Sequence, residues 1–126
     1  MLHFLVVDDD VVVGQTFTRM LELDGHRVTA VLSAEAGLAV AAQERPDAVI
    51  LDMRMPIFTG LDFLRRLRQD VRLREMPVAL VTGDYFLNEQ LLGEIYSLGA
   101  TVRYKPLWLE DLSALAKSLV APRSDA

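Results

Sequence analysis

Aspartates in this sequence occupy the positions best suited to chemistry. Asp8, Asp9 and Asp10 follow directly on the apolar run Leu2–Val7, and Asp52 follows the run Ala48–Leu51. A hydroxyl, Thr82, and an ammonium, Lys105, follow two further runs, Val78–Val81 and Thr101–Tyr104. Aspartate can attack phosphorus and form an acyl phosphate, provided that cationic groups offset the charge of the approaching phosphoryl group. Carboxylates about 5 Å apart repel by roughly 3 kcal/mol per pair at an effective dielectric of about 20, so gathering them demands counter-charge. Cysteine is absent, and neither His3 nor His26 has a second His or Cys at ligand spacing. The ligands on offer are therefore oxygens, which suit Mg2+ (or Mn2+) and not zinc. Thr82 can offer its hydroxyl to a phosphoryl oxygen, Gly83 a backbone N–H without a Cβ in the way, and Lys105 a positive charge.

These residues meet only if the chain folds in a particular way. Five short runs rich in Val, Ile and Leu, the four above and Val28–Leu32, alternate with stretches of helical periodicity. Val13, Phe17, Met20 and Leu21 mark one stripe; Leu61, Leu64 and Leu67 another; Leu91, Leu92, Ile95 and Leu98 a third; Leu112, Leu115, Ala116 and Leu119 a fourth. The helix over roughly residues 33–44 has Ser33 as its N-cap and an Ala-rich body, with Leu38 and Val40 expected inward. Gly25, Pro46, Gly60, Pro77, Gly99 and Pro106 punctuate the joins. This is a (βα)5 pattern, for which right-handed crossovers favour an α/β doubly wound parallel sheet, and we assign the strand order 2-1-3-4-5. In such sheets sites lie beyond the carboxyl ends of the strands. Strands 1, 3, 4 and 5 are then neighbours about 4.8 Å apart, and their terminal residues share one crevice. Strand 2, at the edge, delivers only Ser33.

Composition bounds the partners. A chain of 126 residues with 52% hydrophobic content supports one core. We expect residues 1–120 to form one domain and 121–126 a loose tail. The net charge of −5 opposes direct nucleic-acid binding, which relies on neutralising phosphates. The run Leu2–Val7 is too short to span a bilayer and lacks a basic leader, so no membrane association is expected. Together with the missing cysteines, this suits a cytoplasmic protein.

The segments Val7-Asp8-Asp9-Asp10, Leu51-Asp52-Met53-Arg54-Met55-Pro56 with Gly60, Val81-Thr82-Gly83 and Lys105-Pro106 resemble the receiver domain of two-component response regulators, from about Leu2 to Val120. Each segment alone is a weak motif, but their order on successive strand ends is specific. The resemblance implies a flavodoxin-like three-layer sandwich. It implies phosphorylation of Asp52 by a histidine kinase or histidine phosphotransfer protein, with Asp9 and Asp52 binding Mg2+ directly, Asp8 through water, and the backbone carbonyl of Arg54 completing the ligands. It also implies a cis peptide between Lys105 and Pro106. Output would pass to a separate downstream protein, the domain itself being a monomer or weak homodimer and no enzyme beyond its own phosphotransfer and dephosphorylation.

Blander readings compete. Asp10 reads as the N-cap of the first helix. Thr82 alone could be a turn hydroxyl and Lys105 a solvated lysine. Arginines 65, 66, 68, 72 and 74 read as a solvated helix face, and His3 and His26 carry no assigned role. The family's usual aromatic, three places before the lysine, is here Val102, with Tyr104 next to Lys105, so the Thr–aromatic coupling is expected to be altered or carried by Tyr104. Tyr85, Phe86, Leu87, Leu107 and Trp108 gather near that surface and read either as an output face or as helix packing. Arg54 and Asp84, two places beyond Asp52 and Thr82, could pair and shield the phosphorus. Two rivals stand beside the receiver reading: a phosphorylation-independent binding module on the same scaffold, and a small aspartate-nucleophile phosphohydrolase. The second lacks the usual Asp-x-Asp-Gly-Thr continuation and a cap domain.

Overall fold

The computed structural model describes residues 1–55, 57–84 and 87–121. Five strands alternate with five helices: β1 (His3–Val7), α1 (Val11–Leu23), β2 (Arg27–Val31), α2 (Ala34–Glu44), β3 (Ala48–Asp52), α3 (Gly60–Gln69), β4 (Val78–Thr82), α4 (Glu89–Ser97), β5 (Thr101–Tyr104) and α5 (Leu109–Val120). All strand pairs are parallel and the order is β2-β1-β3-β4-β5, as the crossover argument expected. The strands end within a residue of the apolar runs. Asp52 and Thr82, expected just past their strands, are instead the last paired residues of β3 and β4.

β1, β3 and β4 are buried along their whole length, because helices cover both faces and neither side of a central strand meets water. Alternate residues feed two cores. Leu5, Val7, Val49, Leu51, Leu80 and Val102 pack with Leu61, Phe63, Leu64, Leu67 and Ile95 on one face. Phe4, Val6, Ile50 and Val81 pack with Phe17, Leu21, Leu112 and Leu115 on the other. Edge strand β2 is half-exposed.

Short polar residues start the helices. Asp10 accepts from the amides of Val12 and Val13, Ser33 from Ala36, and Asn88 from Leu91. Thr59 and Asp62 form a reciprocal capping box on α3. Each such cap contributes about 1 kcal/mol.

Leu38 and Val40 pack half-buried against the core, as expected, but the centre of the inward face of α2 is made by the buried Ala34, Gly37 and Ala41. Small residues are needed because the helix lies close on β1: a Cβ on Gly37 would come within 2.9 Å of a Val7 methyl and 3.0 Å of the Phe63 ring. No helix among the described residues is long and apolar enough to cross a membrane.

His3, to which the sequence assigned nothing, anchors the far end of the sheet. Its backbone N–H donates to Asp47 at 2.8 Å. Nδ1 must accept from the Arg27 guanidinium at 3.0 Å, since arginine only donates. Nε2–H is thereby free to donate to Thr29 Oγ1 at 2.8 Å, and that hydroxyl donates to Glu44 at 2.9 Å. Burial, followed by the Arg27 charge, lowers the His3 pKa below 6.5, against the opposing pull of Glu44 and Asp47. A depressed folded value means that the unfolded chain binds the proton more readily, so this stability is present above pH 6.5 and is lost as pH falls towards the folded pKa. Chemical denaturation of wild type and His3→Gln between pH 7.5 and 5 should show a stability loss below about pH 6.5 in the wild type alone. Parallel curves would refute the assignment.

Candidate functional site at the carboxyl edge of the sheet

Parallel pairing brings the predicted residues together. One open crevice is lined by Asp8, Asp9, Asp10, Asp52, Arg54, Thr82, Gly83, Asp84 and Lys105. Asp8, Asp52 and Thr82 are buried, while Asp9 faces solvent. One carboxylate oxygen from each of Asp8, Asp9 and Asp52 lies within 4.8 Å of the others. An all-oxygen cluster of this kind fits a hard divalent cation, which takes one or two carboxylates and keeps waters.

Lys105 spans the acids. Its Nζ donates to Asp8 Oδ2 at 2.9 Å and to Asp52 Oδ1 at 3.3 Å. The peptide between Lys105 and Pro106 is cis, and the Lys105 N–H donates to the Thr82 carbonyl at 2.8 Å. Burial pulls the Lys105 pKa down, but the bond to Asp8 and the charge of Asp52 outweigh it, and the net shift is upward. Lys105 therefore stays charged. Asp52 moves up from its ordinary value, first through burial and then through repulsion from Asp8, with Lys105 opposing. The site is thus a buried carboxylate beside a fixed cation, short of positive charge.

Local sequence explains the placement. Asp8 Oδ1 accepts from the Asp10 N–H at 2.9 Å, which turns the chain into α1, and Asp10 itself caps that helix. Thr82 Oγ1 accepts from the Asp84 N–H at 3.0 Å, leaving its own proton to donate. Gly83 lines the same crevice, and a Cβ on it would meet no protein atom within 4 Å. Gly60 is the sterically required glycine. A Cβ on it would fall 2.2 Å from the Asp52 carbonyl oxygen, and its N–H donates to the Met53 carbonyl at 3.0 Å. Sequence reading saw Gly60 as punctuation and as part of a motif, and contact with Asp52 became visible only in three dimensions. The same loop holds Ile57 at φ 68°, fully exposed, a strained setting for a β-branched residue.

The exposed Arg54 guanidinium pairs with the Asp84 carboxylate, bridging the loops after β3 and β4. Val102 points into the core opposite Leu80. Tyr104 pairs in register with Thr82 and, since paired residues of parallel strands share a face, stands beside it, 36% exposed. Trp108 precedes α5 and is exposed, and its backbone N–H donates to Asp111 at 2.9 Å. Tyr85, the remaining surface candidate, and Phe86 lie outside the described residues.

Because Asp52 is buried among like charges, Asp52→Asn should stabilise the protein at neutral pH with divalent cations chelated. We expect about 1 kcal/mol, a rise in Tm of roughly 3–6 °C. An unchanged or lower Tm in thermal denaturation would contradict the electrostatic account.

Comparison with known proteins agrees with this geometry. Residues 4–115 match the response regulator receiver domain family. Protein PilH of Pseudomonas aeruginosa is 38% identical over 82 residues, 65% of this chain and 68% of that protein. Response regulator MprA of Mycolicibacterium vanbaalenii is 33% identical over 120 residues, 94% of this chain and 50% of its own length. The chain thus spans about half the length of MprA and about two thirds of PilH. Among solved structures, chemotaxis protein CheY4 of Vibrio cholerae superposes with a TM-score of 0.86 at 27% identity, covering 94% of this chain and 98% of that one. With the family match over residues 4–115 and the matching fold, the chain belongs to the receiver domain family of two-component response regulators.

Proposed function

We propose that this domain accepts a phosphoryl group on Asp52 in a Mg2+-dependent reaction, from a histidine kinase or histidine phosphotransfer protein, and relays the event to a separate downstream protein in the cytoplasm. The observation that carries the reading is Lys105 Nζ held between Asp8 and Asp52, in a crevice that Thr82 also lines. Mg2+ (or Mn2+) held by Asp8, Asp9, Asp52 and the Arg54 carbonyl would neutralise charge on the phosphoryl oxygens. An Asp52 carboxylate oxygen attacks phosphorus as the bond from phosphorus to the donor imidazole nitrogen breaks, and the electron pair leaves on that nitrogen. Lys105 stabilises the oxygens as they arrive, and Thr82 donates its hydroxyl to one of them.

Drawing Thr82 towards the new group favours a minor conformation of the domain. Reversing a 1:99 population to 99:1 takes about 5.5 kcal/mol of preference. With Val102 committed to the core, Tyr104 is the aromatic positioned to follow Thr82. We read Tyr104 and Trp108 as part of the output surface.

Intact mass after incubation with acetyl phosphate and Mg2+ should show a single phosphoryl adduct that disappears with EDTA and in Asp52→Asn. If no adduct forms and beryllofluoride with Mg2+ also fails to bind, the phosphorylation-independent binding module becomes the better reading. The Arg54–Asp84 pair over the crevice impedes water. The Arg54→Ala, Asp84→Ala double variant should therefore lose the adduct about 2–5-fold faster, the range that an exposed ion pair supplies. An unchanged rate of adduct loss would remove the shield from the account.

A further inference from the structure

The helix after Thr82 is held differently from its neighbour. Five residues of α3, Gly60, Leu61, Phe63, Leu64 and Leu67, are buried, but α4 buries only Ile95 fully, with Leu91, Leu92 and Leu98 half-covered. Polar grips from α3 do what burial does not. Arg65 donates through Nε and Nη2 to both oxygens of Glu94, at 2.6 and 2.8 Å, a two-pronged bond across the helix pair. One turn further along both helices, Arg68 donates through Nε to the Leu98 carbonyl at 2.6 Å and through Nη1 to the Met76 carbonyl at 2.7 Å. These arginines, which the sequence read as solvated, form a clamp.

The two grips differ in kind. Arg68 is half-buried and ties two backbone carbonyls, one at the end of α4 and one just before β4, so it fixes that end of α4 to the sheet. Arg65 and Glu94 are partly exposed side chains, 45% and 38%, whose bond can open without stranding a buried group. α3 itself is immobilised by its buried face, its capping box and the Gly60–Met53 bond beside Asp52. At its other end α4 is reached directly by the chain leaving Thr82.

We infer that the Arg65–Glu94 pair is a releasable latch holding α4 in its resting position, with Arg68 as the pivot, and that it sets how readily the domain switches. This rests on the phosphoacceptor reading for its link to Thr82, but the hold on α4 can be measured without any ligand. Opening the latch raises the free energy of the resting state alone, so whatever favours the switched state needs to supply less.

The test uses Arg65→Gln, Glu94→Gln and the exchanged pair Arg65→Glu with Glu94→Arg. In the resting protein, amide hydrogen exchange across α4 should speed up about 2–5-fold in each single variant and return towards wild type in the exchanged pair, while Glu94→Gln, which leaves the Arg65–Asp62 contact at 3.5 Å in place, should leave α3 unchanged. Titration with beryllofluoride in Mg2+ should give an apparent Kd about 2–5-fold tighter in the single variants, restored in the exchanged pair. Raising NaCl to 0.5 M should speed α4 exchange in the wild type and leave the single variants unmoved. Unchanged α4 exchange would overturn the latch. Faster exchange with unaltered beryllofluoride affinity would overturn its coupling to the site. A wild type that binds no beryllofluoride would overturn the acceptor reading and the coupling together, while the exchange arm would still decide the hold.

Discussion

Three carboxylates packed at one end of a sheet, two of them buried, are the constraint around which this molecule is arranged. Their mutual repulsion and loss of hydration oppose folding, and Lys105 is the fixed cation that answers both Asp8 and Asp52. One positive charge does not balance three negative ones. The site therefore retains an unmet demand for positive charge, the kind of demand that a hard divalent cation on oxygen ligands meets. Stability and chemistry pull in opposite directions at Asp52, as they commonly do where a fold spends packing energy on a reactive group.

Tolerating such a site requires firm surroundings. Three of the strands that end in it, β1, β3 and β4, are buried along their whole length, while edge strand β5 is partly exposed. α3 is pressed so close to the end of β3 that only glycine fits at its first position. Asp8 is held by the backbone of Asp10, and the Lys105 backbone by that of Thr82. Asp52 and Thr82 thus end strands buried along their length, and Asp8 and Lys105 are held by the main-chain and side-chain bonds around them.

The opposite design governs α4. A helix with one fully buried side chain has little apolar area to lose on moving; half-buried Arg68 holds its carboxyl end, and the other bond that positions it runs between the partly exposed Arg65 and Glu94. Hydrophobic burial falls away over short displacements and resists motion throughout, whereas an exposed ion pair can exchange its partner for water at small cost. A firmly packed crevice thus lies beside a lightly held helix.

Much of this was legible in the residues alone. Alternation of apolar runs with 3.6-residue stripes settles the (βα)5 architecture, because both periodicities are consequences of local backbone geometry. The handedness of crossovers then orders the strands, and strand-end residues Asp8, Asp9, Asp52, Thr82 and Lys105 become neighbours without reference to coordinates. Tertiary structure alone decided what depends on side-chain reach between distant segments. Arg65 and Glu94 are 29 residues apart, and Arg68 and Leu98 are 30 apart; no periodicity links either pair, so the arginines read as solvated. The His3 network spans β1, β2 and α2 for the same reason. Register placed Tyr104 beside Thr82 and Val102 beside Leu80 on the same face, and packing covers Val102 while leaving Tyr104, at the strand end, 36% exposed, a distinction that hydrophobicity alone does not express. Even Gly60, visible as a letter in a motif, acquired its reason only when the Asp52 carbonyl was found where a Cβ would be. Local chemistry named the participants, and packing determined which of them are held fast and which can let go.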